Sequence, residues 1–181
     1  MDQKLSDALF QAAEQGDLAR VTASLDMGAN ANATGPDHWS PLHFAAKNGH
    51  SAVVSLLLSR GAMADGEAEA EWTPLLLACC TGNTDVVGAL LSSGASVERS
   101  TAQGARPLMM AAQFGHIQVV RLLWSKSVEV GAKDSRGSTA LILASRNGHT
   151  DVISALAGLT DANDKNNESL CAFMYAADYG P

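Results

Sequence analysis

The chain has 181 residues, of which 46% are apolar but only 5% aromatic, 17% are charged, and the formal net charge is −7. This composition supports a buried core and excludes a disordered chain. The acidic balance excludes a protein that coats nucleic acid, which needs clustered Lys and Arg. No run of about 18 apolar residues is present, so no membrane span is expected. The start lacks a basic stretch followed by an apolar one, so no signal peptide is expected either. The three cysteines, Cys79, Cys80 and Cys171, make no C-x-x-C pair, which excludes a disulfide framework or zinc site and fits a reducing compartment. The expected location is the cytoplasm, with the nucleus as the alternative. Two sequons, at Asn32 and Asn167, read as chance matches in such a chain.

Taken in order, the elements repeat at a constant step of 33. The start contributes Leu9, Ala12, Gly16, Val21, Leu25 and Gly28, each one full step before Leu42, Ala45, Gly49, Val54, Leu58 and Gly61. Ser40-Pro41-Leu42-His43 then recurs as Thr73-Pro74-Leu75-Leu76, Arg106-Pro107-Leu108-Met109 and Thr139-Ala140-Leu141-Ile142. Ser40, Thr73 and Thr139 are capping residues, and Pro41 and Pro74 sit at the first helical position, so a short helix opens there. Gly49, Gly82, Gly115 and Gly148 end it where a left-handed residue is wanted. A second helix follows, carrying Val-Val and Leu-Leu pairs at helical spacing. Ser51, Thr84 and Thr150 are its expected caps, with Asp85 and Asp151 favouring the positive end of its dipole. Gly28-Ala29, Gly61-Ala62 and Gly94-Ala95 close it. About ten small and polar residues, suited to a β-turn or hairpin, lead to the next cap.

The T-P-L-H, A-A, G-H, V-V and L-L-x-x-G-A marks at this period resemble the ankyrin repeat, and Ser40 to Ala62 is close to the full motif. The resemblance covers nearly the whole chain. It implies an all-α solenoid of stacked helix-turn-helix units with projecting β-hairpin loops. The expected organisation is a single domain: a cap repeat over 1–34, full repeats over 35–67, 68–100, 101–133 and 134–166, and a partial repeat over 167–181.

Departures from the pattern carry expectations of their own. Arg106 replaces a capping hydroxyl, and Ser127 and Thr160 stand where the closing glycines stand. The fourth second helix, placed at Ser154 to Leu159, contains Gly158 and should be the weakest, since glycine in a helix costs about 1 kcal/mol relative to alanine. Cys171 to Gly180 matches Thr139 to Gly148 at a step of 32 and reads as a lone first helix. It implies a piece of a longer array, or else a makeshift cap. At the other end Asp2, Gln3, Lys4, Asp7, Glu14 and Gln15 should keep the first repeat soluble.

No hydrolase, metalloprotease, phosphate-loop or dinucleotide motif is present, so no catalytic residue, cofactor or metal is expected. The periodic His50, His116 and His149, and His43 of the T-P-L-H motif, read as structural rings bonded to neighbouring backbone. Cys79 should be core, and no base or cation is placed to activate Cys80. Trp124, at a leucine position, should be core.

The resemblance places partner contacts at the residue before the first helix cap and at the two residues before the glycine. Here those are Trp39 and Trp72, then Lys47, Asn48, Cys80, Thr81, Gln113, Phe114, Arg146 and Asn147. Trp39, Trp72 and Phe114 would form an aromatic strip on the concave side; the alternative is that the tryptophans brace the stack. Asp65, Glu67, Glu69 and Glu71 alternate and in an extended segment would share one side, with Glu69 and Glu71 beside Trp72 as an acidic rim. Arg106, Lys126, Arg136 and Arg146 would make the later part basic. The expected function is non-catalytic binding of a protein partner by a monomer, without nucleic acid or membrane. The alternative is a targeting segment of a larger enzyme such as a kinase or ubiquitin ligase.

Overall fold

The computed structural model describes residues 2–179, and of Asp2, Gln3, Pro36, Asp178 and Tyr179 the backbone alone. The solubilising roles expected of the Asp2 and Gln3 side chains, and the closing Gly180, lie outside the described residues. Two compact units divide between Ser96 and Val97. The first holds α1 (Asp2–Gln15), α2 (Leu18–Asp26), α3 (Pro41–Lys47), α4 (Ser51–Ser59), α5 (Pro74–Thr81) and α6 (Thr84–Ser92). The second holds α7 (Pro107–Gln113), α8 (Ile117–Trp124), α9 (Ala140–Arg146), α10 (Thr150–Leu156) and α11 (Ala172–Tyr179). In the first unit α1, α3 and α5 stack in one row and α2, α4 and α6 in another; in the second, α7, α9 and α11 form a row beside α8 and α10.

The repeat positions are the core positions. In the first unit Leu9, Leu42 and Leu75 of the first helices and Leu57 and Leu90 of the second helices are buried; in the second unit so are Leu108 and Leu141, and Leu123 and Leu156. Paired small residues on the first helices, Ala12-Ala13, Ala45-Ala46 and Ala78-Cys79 in the first unit and Ala111-Ala112 in the second, are fully buried. Small side chains there let neighbouring backbones approach closely. Trp124 departs from expectation: it is 48% exposed. It matches Leu91 by period rather than Leu90, and Leu91 itself is only half-buried, so a larger ring at that flank projects outward.

Thr73 and Thr139 cap as expected, each hydroxyl accepting from the backbone N–H three residues on, Leu76 and Ile142, at 3.3 Å. Ser40 instead engages the ring of His43, its N–H donating to Nδ1 at 3.2 Å and its Oγ lying 2.7 Å from the same nitrogen. Arg106 makes no cap bond; its guanidinium pairs with Glu98 and Glu129.

The second helices begin at the expected caps themselves, one residue earlier than caps at those positions would place them. His50, Asn83, His116 and His149 occupy the cap position, and Ser51, Thr84, Ile117 and Thr150 are the first helical residues. The reason is the preceding glycine. Gly16, Gly49, Gly82, Gly115 and Gly148 have φ between 71° and 76°, and the residue after each left-handed turn takes the non-helical cap conformation from which the helix starts. The imidazoles then turn away from their own helices: His50 Nε2 lies 2.9 Å from the Glu14 carbonyl and His149 Nε2 lies 2.9 Å from that of Gln113. A Cβ on Gly16 would sit 2.5 Å from the His50 ring, on Gly115 2.5 Å from the His149 ring, and on Gly49 2.6 Å from the Asn83 amide. Glycine is therefore required twice over, by φ and by contact.

The loops project without strand ladders among the described residues. Each is closed by one backbone bond in the same register: Gly35 to Trp39, Ala68 to Trp72, Thr101 to Ala105, Asp134 to Ser138, and Asn166 to Leu170. The last follows its predecessor one position short of the period, so the missing residue lies between the fourth and fifth loops. It falls with the early end of α10 at Leu156, which leaves Gly158 outside the helix. The expected weakness from a mid-helix glycine is thus replaced by a shorter helix. Ser127 takes the left-handed conformation of the glycines it replaces, at φ 60°.

A second periodic bond has no signature in the repeat motif. The side-chain oxygen of Asn32 accepts from Met63 N–H at 2.8 Å, that of Asp65 from Ser96 at 2.9 Å, and that of Glu98 from Glu129 at 3.2 Å. Each acceptor sits one full period after the last and reaches forward to the loop of the next repeat. Gly131 follows in the series and offers no oxygen. There Lys133 pairs with Asp164 at 3.0 Å instead.

The turns and the core can be tested separately. Gly28→Ala, at φ 93° with nothing within 4 Å of the added carbon, should cost about 1 kcal/mol from conformation alone. Gly16→Ala in the same unit should cost at least about 1 kcal/mol more, because the His50 ring must also move; urea denaturation of the two variants measures the difference. The Ser145 hydroxyl is buried without a hydrogen-bond partner, so Ser145→Ala should raise stability by about 1 kcal/mol in the same titration.

Candidate functional site

The residues proposed from the sequence lie at the ends of the first helices and on the loops before them, and the two units are taken in turn. In the first unit Trp39 is half-buried. Its ring packs 5.1 Å from Phe44 and 5.8 Å from His43, and the Lys47 Nζ sits 5.3 Å from its centroid. Trp39 therefore braces its own helix, with the ammonium on the electron-rich ring face. Trp72 is also half-buried, and its carbonyl lies 3.2 Å from His43 Nε2. No ring contact joins Trp39 to Trp72 among the described residues, so the aromatic strip is not continuous.

The acidic row is also broken up. Glu69–Glu71 is one turn of 3-10 helix with Ala70 at φ 56° and Glu71 at φ 63°, not an extended segment, so alternation does not align the carboxylates. Asp65 is engaged with Ser96 N–H. Glu69 and Glu71 remain exposed beside Trp72.

Of the residues before the glycines, Lys47 and Asn48 are exposed, and the Asn48 amide donates to the Glu14 carbonyl at 3.1 Å. Thr81 is exposed, with its hydroxyl 2.7 Å from the Asn83 amide that donates to it. Cys80 is half-buried; burial pushes its thiol up to about 11, which keeps it protonated and a poor nucleophile at neutral pH. Burial also holds the Cys79 thiol well above its ordinary value.

In the second unit Phe114 is 47% exposed, its ring stacked 6.4 Å from that of His116. Gln113 is half-buried and gives its carbonyl to His149. Arg146 and Asn147 are exposed; the Asn147 amide donates to its own helix at Leu143, 2.8 Å away. Of the four later basic residues, Arg106 is tied to two glutamates. Arg146 instead lines a groove of about 230 Å³ with Arg136, Asn166, Asn167 and Glu168. Sequence reasoning missed Asn166 and Asn167 as structural residues, since Asn167 stands out there only as a sequon.

Among the described residues no helix is long and apolar enough to cross a membrane. The geometry defines a class: rows of helix pairs that present loop ends and helix ends as an exposed, largely preformed surface. The family model for ankyrin repeats, three copies, matches residues 9–101 and again 108–181. The chain belongs to the ankyrin repeat family, whose domains are generally protein–protein interaction modules and typically non-catalytic. No curated protein matches it.

His43 supplies a test of the first unit. Burial lowers its pKa below the usual histidine value, against the opposing effect of the carbonyls of Trp72 and Gly66. The unfolded chain takes up a proton near about pH 6.5 that the folded unit resists, so stability is full above that value and falls as pH drops through it. Melting followed by circular dichroism should fall between about pH 7.5 and about pH 5.5. His43→Gln should start lower and lose less over the same range.

Proposed function

We propose that this chain is a binding protein that holds a partner on the ends of its first helices and on the adjoining loops. In the first unit the contact set is Lys47, Asn48, Glu69, Glu71, Trp72, Cys80 and Thr81; in the second it is Gln113, Phe114, Arg146 and Asn147. Trp39 leaves the set and supports Lys47 from below. The observation that carries the reading is Phe114. An aromatic ring stands nearly half exposed at the end of a seven-residue helix, where Asn48 and Asn147 occupy the matching positions and the fold needs no ring. Exposed aromatics on rigid elements are the usual anchors of protein interfaces. The backbone beneath is hydrogen-bonded already, so little ordering opposes binding.

The test is affinity capture with the wild type, Phe114→Ala, Trp72→Ala and Trp124→Ala as baits, matched by thermal melting. Phe114→Ala or Trp72→Ala should weaken retention of a bound protein by about 2 kcal/mol or more, and Trp124→Ala should not. Loss with Trp124→Ala alone would move the contact to the second-helix row and end this reading.

A further inference from the structure

The groove in the second unit is distinguished by how its charges are allocated. Two arginines elsewhere are paired with acids: Arg60 with Asp26 at 2.9 Å, and Arg106 with Glu98 and Glu129. Of the acids around Arg136 and Arg146, Asp134 and Asp164 are engaged with other groups. The Asp134 carboxylate accepts from the N–H groups of Arg136 at 2.9 Å and Ser138 at 2.8 Å. Asp164 holds Lys133. Glu168 on the rim lies 3.5 Å from the Tyr175 hydroxyl that donates to it. Among the described residues neither Arg136 nor Arg146 makes an ion pair, and both are exposed, in a chain of net charge −7.

The wall that carries Arg136 is fixed. Asn167 N–H donates to the Arg136 carbonyl at 2.9 Å, and the Asn167 amide donates to the Ser135 carbonyl at 3.1 Å. Gly137, at φ 73°, brings the two loops so close that a Cβ there would lie 2.6 Å from Asn167 Oδ1. On this fixed backbone the guanidinium groups of two exposed arginines offer donors to an anion.

The bonding state of the groove selects the kind of anion. Phosphate sites in proteins draw on free backbone N–H groups at helix starts or nests. Here the lining N–H groups are engaged: Ser135 with Gln103, Asn166 with Leu170, Asn167 with Arg136, and Glu168 with the Asn166 side chain. The side-chain forks remain; they match carboxylate and phosphate oxygens alike, and the engaged backbone leaves a phosphate no further N–H groups to use, whereas a carboxylate needs none beyond the forks.

We propose that this groove receives a carboxylate side chain from an acidic segment of the partner protein, held by Arg136 and Arg146. The proposal rests on the reading of the chain as a protein-binding module, and it names the charge of the segment seated in the second unit.

The experiment is fluorescence anisotropy with a labelled deca-glutamate peptide, against a deca-lysine peptide and a phosphoserine peptide of equal charge. The wild type should bind deca-glutamate, more weakly at about 300 mM than at about 50 mM salt, and should not bind deca-lysine. Arg136→Gln/Arg146→Gln should lose about tenfold or more in affinity. Lys126→Gln, exposed in the same unit and outside the groove, should stay within about twofold, and Glu168→Gln should tighten binding. Thermal melts of all variants show that each is folded. Equal losses with Lys126→Gln and with the double variant would reduce the effect to net charge and overturn the proposal. Markedly tighter binding of the phosphoserine peptide would overturn the choice of carboxylate. If deca-glutamate fails to bind while a captured protein is still lost with Phe114→Ala, the groove is wrong and the protein-binding reading stands.

Discussion

A missing carbon atom sets the spacing of each stack. Gly16, Gly49 and Gly115 turn the chain between paired helices, and the cap residue of the next repeat lies where their side chains would be. The same residues, His50, Asn83 and His149, occupy the non-helical cap position before the second helix. Turn conformation, helix start and contact with the preceding repeat are thus one arrangement. The buried small-residue pairs of the first helices follow from it, because helices held this close admit little else between them.

Much of this is legible in the sequence, because one period governs it. The leucines, valines and alanine pairs are core for the reason their spacing predicts, and the left-handed glycines fall where two helices must reverse. What the period hides is which neighbour a polar side chain chooses. Ser51, Thr84 and Thr150 have the chemistry of caps, yet the left-handed glycine shifts the start of each helix so that the residue before them takes that place. Asp65 reads as one of four exposed carboxylates until its bond to Ser96, in the following repeat, is seen. The alternation of Glu67, Glu69 and Glu71 presupposes an extended segment, and the left-handed Ala70 and Glu71 remove it. Trp124 differs from its expected burial by a single position, since the second residue of the leucine pair lies at the flank of its helix.

The candidate surface is legible in outline only. Periodicity finds the residues before each cap and each glycine, but Trp39, Asn48, Thr81 and Asn147 are already engaged with their own or neighbouring elements. Phe114 and Arg146 differ because the fold makes little use of their functional groups. Arg136 cannot be singled out by sequence, since its availability depends on Asp134 turning back to bind two backbone amides. An acidic chain can therefore carry a locally cationic groove without any cluster of basic residues in its sequence.

The run of acceptors at Asn32, Asp65 and Glu98 stops at Gly131. Where it operates, neighbouring loops are fastened backbone to side chain, at a short and directional bond. Past Gly131 the fastening passes to an exposed ion pair, Lys133 with Asp164, and to the Asn167 amide. Bonds of the first kind respond little to dissolved ions, whereas an exposed ion pair is screened by them. At the final loop the ion pair therefore replaces the backbone bond, whereas at Glu98 the pairs with Arg106 only add to it, so the hold of the last loop on its neighbour varies more with the ionic composition of the surroundings.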